Sequence, residues 1–240
     1  MPKNNNTMSA IRRNIPNFIT CMNMLSGTLA VVFAFRSADT FGPLTGYQVA
    51  FCLIGAATVF DFFDGFAARA LHAVSSIGKE LDSLSDLVSF GIAPTMLVFN
   101  MMEAFDAGCW AYAAMLVTIF GGLRLARFNV DTRQTTSFIG MPIPSNAIFW
   151  IGYCAIVYGQ TDMNLTLTLA LIVILSGLMV APLPMFSLKF KHYRLKGNIE
   201  RYLLIAATVI LVALLGVGGL AWVIALYVAM SVAIIFLNKN

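Results

Sequence analysis

Residues 61–86 read DFFDGFAARALHAVSSIGKELDSLSD, with long apolar runs on either side. The segment gathers Asp61, Asp64, Asp82 and Asp86 with Gly65, Arg69 and Gly78 where two hydrophobic stretches meet. Carboxylates at bilayer depth are costly and are kept for a function, so this segment raises the question of what pairs with them. The surrounding composition sets the class of answer. Of 240 residues, 59% are hydrophobic and 11% are charged, and the mean hydropathy is +0.83. A soluble domain carries about 25% charged residues, so the chain reads as an all-α, polytopic membrane protein.

Working outward from 61–86, eight apolar segments are long enough to be read as spans: about 16–35, 47–68, 81–102, 107–127, 143–159, 165–187, 202–215 and 218–237. The last two are tight, with only GVGG (216–219) between them. The whole chain, 1–240, is expected to form a single membrane domain preceded by a polar segment, 1–14. The opening MPKNNNTMSA is too short for a signal peptide and is expected to fray. An even number of spans puts both termini and the loops after spans two, four and six on one face. Of the fifteen Lys and Arg residues, fourteen lie on that face and Arg36 stands alone opposite. The positive-inside rule makes the basic face cytoplasmic, which implies a cell (inner) membrane protein with both termini inside.

The net charge of +4 fits basic loops against anionic membrane lipids better than nucleic acid, which is excluded as a partner. "KFKHYRLKGNIER" (189–201) is the densest such loop. Cys21, Cys52, Cys109 and Cys154 fall in apolar stretches without paired spacing and read as packing residues. His72 and His192 have no partner at metal-ligand spacing and receive no catalytic role.

Helical geometry then brings the carboxylates together. At about 100° per residue, Asp61, Asp64, Gly65, Ala68 and Arg69 fall within an arc of about 140°. Gly78, Asp82 and Asp86 follow at i, i+4 and i+8, a second stripe. A short turn near Leu71 to Ser76 folds the two stripes into an antiparallel hairpin, so four carboxylates converge. Such a cluster needs cations, and hard oxygen ligands suit Mg²⁺ or Mn²⁺, here two ions, which commonly recruit phosphates. Glycine and alanine between the aspartates let a ligand approach the backbone, and Arg69 offers a fixed positive charge. The combination describes a metal-assisted site for a pyrophosphate-bearing substrate at the membrane surface. An ion pair or a proton relay in a cation transporter is the competing reading. It would need a polar route across the bilayer, and the outward halves of the spans carry no ionisable chain.

Asp61-x-x-Asp64-Gly65-x-x-Ala68-Arg69, eight residues, Gly78-x-x-x-Asp82-x-x-x-Asp86 resembles the signature of the CDP-alcohol phosphotransferase family at every fixed position. The resemblance implies that Asp61, Asp64 and Asp82 ligate metal. It further implies that Asp64, Gly65, Ala68, Arg69 and Gly78 contact the CDP moiety, and that Asp86 is a metal-side ligand or the general base. "RRNIPNFITCMNMLSG" (12–27) and "GGLRLARFNVDTRQTTSFIGMPIPSNA" (121–147) are similar to the serine-using bacterial branch of that family. This implies CDP-diacylglycerol as donor and L-serine as acceptor. Glycerol phosphate, an inositol compound or choline are the alternative acceptors, and a homodimer stays open as the assembly.

Serine carries a carboxylate, and Arg124 and Arg127 stand i, i+3 at the cytoplasmic end of the fourth span, with Asn129 beside them as a hydrogen-bonding group. The plainer reading is that both arginines snorkel to headgroups. Asn17, Thr20 and Asn23, at i, i+3 and i+6, either bond the cytidine or ribose or join helices. Pro142 and Pro144 shape the start of the fifth span.

Overall fold

The computed structural model describes residues 4–130, 138–186 and 198–237. Helix follows helix along the chain: α1 (Asn4–Phe35), α2 (Gly46–Ala70), α3 (Ser76–Asp86), a π-helical segment (Leu87–Ile92), α4 (Ala93–Ala104), a 3-10 segment (Gly108–Ala114), α5 (Met115–Val130), α6 (Ile143–Tyr158), α7 (Leu165–Val180), α8 (Ile199–Leu215), a 3-10 turn (Gly216–Gly218) and α9 (Gly219–Leu237). Four two-residue strands pair as β1 (Thr40–Phe41) with β2 (Leu44–Thr45) and β3 (Phe138–Ile139) with β4 (Pro184–Met185), both antiparallel. The all-α polytopic class expected from composition is therefore the class observed.

Among the described residues, five apolar helical runs are long enough to cross a membrane: 14–35, 46–70, 76–104, 108–130 and 199–234. The last contains α8, the 3-10 turn and α9. Two shorter apolar helices, α6 and α7, have sixteen residues each. These helices match the eight apolar segments one for one. Three boundaries differ by more than three residues. Residues 4–10, expected to fray, continue α1 as helix through Pro16. The third span begins at Ser76, because Ser75 is an N-cap whose hydroxyl accepts from the Gly78 amide at 3.1 Å. The sixth ends at Val180 rather than at 187. Pro182 pushes Ala181 to an extended φ of −66° and ψ of 143°, which a helix cannot continue. The loop 189–201 lies outside the described residues up to 197.

The chain divides into two compact units, residues 1–97 and 98–240. In the first, α1 packs along α2 and along α3 with its π-helical continuation. Small residues make that closeness feasible: Ala30, Ala34, Ala50 and Ala57 are fully buried. A Cβ on Gly27 would stand 2.6 Å from the Ser89 Cα, so only glycine fits where α1 meets the π segment. At the far end of α1 and α2, Arg36 donates to Asp39 at 2.7 Å and lies 4.6 Å over the Phe41 ring, bracing the β1–β2 hairpin.

In the second unit α6 packs on α9, α8 on α9, and α5 on α7. Gly152 permits the α6–α9 approach, since a Cβ there would fall 2.2 Å from the Ala221 amide nitrogen. Trp150, Met141, Ile143, Ile172 and Met179 fill the interior. Gly140, at φ +78°, bends the chain tightly against the Met179 carbonyl.

Candidate active site

All four aspartates belong to the first unit, on α2 and α3. Asp61, Asp64 and Asp82 each present a carboxylate oxygen, and these oxygens lie within 4.8 Å of one another. The predicted hairpin is thus formed, with the turn at residues 71–75. Asp64 is the most enclosed, 4% exposed, and accepts from the Thr20 hydroxyl at 2.7 Å. Thr20, 3% exposed, is in turn placed by α1: its hydroxyl also lies 3.0 Å from the Pro16 carbonyl. Asp86 completes the set from the last turn of α3, and its side chain interacts directly with that of Asp61. Its Oδ1 is buried and has no hydrogen-bond partner among the described residues.

Beside the carboxylates opens a cleft of about 220 Å³, lined by Asn17, Thr20, Asp64, Gly65, Ala68, Arg69, Gly78 and Asp82. Those are the seven residues expected to contact the CDP moiety, Asp64 among them, plus one further expected metal ligand, Asp82. The glycines keep it open. A Cβ on Gly78 would come within 3.0 Å of Asn17 Oδ1, and one on Gly65 would stand 3.4 Å from an Arg69 guanidinium nitrogen. Arg69 itself is exposed at the rim, where its charge acts on Asp64.

The sequence reading missed part of this lining: Pro16, Ala73, Val74, Ser75 and Lys79 also face the cleft. Ser75 was findable as the N-cap of α3, and Lys79 follows Gly78 on the same first turn. It missed as well the two hydroxyl staples that hold α3 to α1. Ser85 donates to the Thr20 carbonyl at 3.2 Å and Ser89 to the Asn23 carbonyl at 3.0 Å. The π-helical segment starts directly after Asp86, and its wider closure is seen in the Ala93 amide bonding back five residues to Val88.

Three carboxylates from two helices, joined by a fourth with a buried oxygen left unpaired, fit hard divalent cations bound through oxygen. An all-carboxylate cluster without a cation would leave several like charges crowded together.

The expected acceptor residues lie in the second unit. Arg124 is 7% exposed with its guanidinium 5.5 Å from the Phe128 ring centroid, and its charge acts on Tyr227. Arg127 is exposed and donates to the Val180 carbonyl at 2.9 Å. Asn129 is half-buried at the end of α5. So the two arginines are not equivalent. Arg127 ties α5 to the end of α7, while Arg124 is buried far more deeply than a snorkelling side chain requires.

Fold and site together define an integral membrane protein whose helices carry a carboxylate cluster beside a small-residue cleft. Residues 13–183 match the profile of the family described as CDP-alcohol phosphatidyltransferase. A CDP-diacylglycerol–serine O-phosphatidyltransferase of Methanocaldococcus jannaschii is 34% identical over 175 residues, covering 72% of this chain and 74% of its own. One from Bacillus subtilis is 34% identical over 178 residues, 74% of this chain and 92% of its own. One from Helicobacter pylori is 30% identical over 245 residues, 94% of this chain and 95% of its own. The chain belongs to the CDP-alcohol phosphatidyltransferase family. It is a transferase enzyme of phospholipid biosynthesis.

Proposed function

We propose that the protein transfers the phosphatidyl group of CDP-diacylglycerol to L-serine, giving phosphatidylserine and CMP, with Mg²⁺ or Mn²⁺ as cofactor. The observation that carries the chemistry is the triad of Asp61, Asp64 and Asp82 oxygens within 4.8 Å of one another beside the glycine-lined cleft. Serine as acceptor is supported by similarity to relatives bearing that activity in their names, one of them along nearly its whole length.

In this reading Asp61, Asp64 and Asp82 hold the cations, with Asp86 at their side. Bound divalent cations supply charge neutralisation at the pyrophosphate. Asn17, Thr20, Gly65, Ala68, Arg69 and Gly78 hold the CDP portion while the acyl chains stay in the bilayer. Thr20 keeps Asp64 in one rotamer, and Arg69 balances charge at the rim. Asp86 accepts the proton of the serine hydroxyl. The serine oxygen then bonds to the phosphorus next to diacylglycerol, and the bond from that phosphorus to the bridging oxygen breaks. CMP leaves with that oxygen. Arg124, with Arg127 and Asn129 near it on α5, receives the serine carboxylate. The site faces the cytoplasm of a cell membrane that both termini share on that side, as the one-sided basic residues support.

Purified protein given CDP-diacylglycerol with serine, glycerol 3-phosphate, inositol phosphate or choline in turn tests the acceptor. CMP release is expected with serine and a divalent cation, and chelator should abolish it. Release with glycerol 3-phosphate and none with serine would overturn the acceptor assignment.

A further inference from the structure

The helix α1 turns one face toward the aspartates. At about 100° per residue, Pro16, Thr20, Asn23 and Gly27 fall within roughly 60° of one another. Three of these meet the α3–π stretch at known points: Thr20 through its carbonyl on Ser85, Asn23 through its carbonyl on Ser89, and Gly27 against the Ser89 backbone. Asp86 lies in the turn between those staples, immediately after Ser85.

Asn23 is fully buried, 0% exposed, and neither its Nδ2 nor its Oδ1 has a hydrogen-bond partner among the described residues. A primary amide in that position is expensive, because it has given up water and gained nothing. On the facing stretch, three residues before Ser89, Asp86 Oδ1 is also buried and unpartnered. Among the described residues of the first unit, the remaining side-chain atom of this kind is Thr45 Oγ1, at the other end of α2. Donor and acceptor are therefore complementary, on facing elements, one turn apart along the two staples. The π-helical segment that begins after Asp86 is an irregular turn of a kind frequent at functional sites.

We infer that Asn23 is a positioning residue for Asp86: its Nδ2–H donates to Asp86 Oδ1 when the site is loaded, fixing the carboxylate that takes the acceptor proton. The inference rests on the proposed role of Asp86 in the transfer. A bond of this kind would give Asn23 Nδ2 and Asp86 Oδ1 a partner in one contact, on the Asp86 oxygen that does not face Asp61. Asn23 does not touch the substrate. Its effect is on turnover, and on turnover only through Asp86.

Asn23→Leu keeps the branched outline and the number of side-chain heavy atoms and removes the amide, and Asn23→Asp keeps the shape and removes the donor. Both are compared with the parent, with Asp86→Asn and with the double variant Asn23→Leu/Asp86→Asn in the CMP-release assay under detergent. For each single Asn23 variant, kcat should fall about ten- to a hundredfold, the worth of a hydrogen bond to a charged group. KM for CDP-diacylglycerol and the half-activating Mn²⁺ concentration should stay within twofold. Asn23→Leu should melt no lower than the parent, since a buried orphan amide has been replaced by a hydrocarbon. Adding Asn23→Leu to Asp86→Asn should cost nothing further. Turnover within twofold of the parent in both Asn23 variants would overturn the inference while leaving Asp86 in its role, as would a full additional loss in the double variant. Near-normal turnover of Asp86→Asn would remove the role of Asp86 and the inference with it.

Discussion

Asp64 and Asp86 show how differently two carboxylates of one cluster are supported. Asp64 has a hydroxyl donor, Thr20, and a guanidinium at the rim, whereas Asp86 has an oxygen that meets no donor. The proposed division of labour follows that contrast. Asn in place of Asp61, Asp64 or Asp82 should raise the Mn²⁺ concentration needed for half activity, with turnover partly restored by excess Mn²⁺. Asp86→Asn should lower turnover by roughly 10²–10⁴-fold, the usual worth of a general base, without recovery on adding metal. A steady-state titration of Mn²⁺ for each variant separates the two classes, and full rescue of Asp86→Asn would make it a fourth ligand. The arginines divide in the same manner. Arg124→Ala should raise the KM for serine about ten- to a hundredfold while that for CDP-diacylglycerol stays near the parent value. Arg127→Ala should do less to serine and more to thermal stability, because its guanidinium bonds the last carbonyl of α7.

Helix α1 is the element on which the site hangs. It supplies Thr20 to Asp64, two carbonyls to the serines of the α3–π stretch, and the glycine that lets them approach. A methyl group at Gly27 would meet Ser89 backbone, which cannot swing aside, so Gly27→Ala should cost about 1–3 kcal/mol of stability and slow turnover. Gly55→Ala on α2 is the control. No atom lies within 4 Å of its added methyl, and a mid-helix alanine should leave melting unchanged or raise it. Thermal unfolding in detergent with parallel CMP release checks both. The same elements show what a sequence can and cannot disclose. The helix pair and its aspartate stripes were legible because the 3.6-residue period and four costly carboxylates dominate residues 61–86. The π-helical turn was not, because Gly91 within LVSFGI and Pro94 two residues beyond it mark an irregular helix without saying which closure it takes. Nor was the 3-10 start at Gly108–Ala114, where GCWAYAA reads equally well as α-helix. The difference between Arg124 and Arg127 was equally hidden, since spacing alone puts both on one face.

For the molecule as a whole, the distribution of charge makes the sharpest claim. A cysteine introduced at Asp39 or Asp162 should react with an impermeant label applied from outside, and one at Lys79 should not. Labelling at Lys79 from outside would invert the orientation and the cytoplasmic supply of serine with it. Eight helical segments do not imply eight independent insertions, however. Helix α8 has seventeen residues, about 25 Å of rise against a hydrocarbon core of about 30 Å, and the turn after it, Gly216–Gly218, contains no charged or strongly polar group. Gly219 packs so closely on the Leu211 carbonyl that α8 and α9 are closed on each other at the turn itself. During synthesis, α8 is therefore expected to enter the bilayer together with α9, as a hairpin, rather than on its own. A nascent chain arrested with α9 still inside the ribosome should be loosely held at this end. Release of some twenty further residues should fix it at a single step, an order of events written into three residues of tight turn.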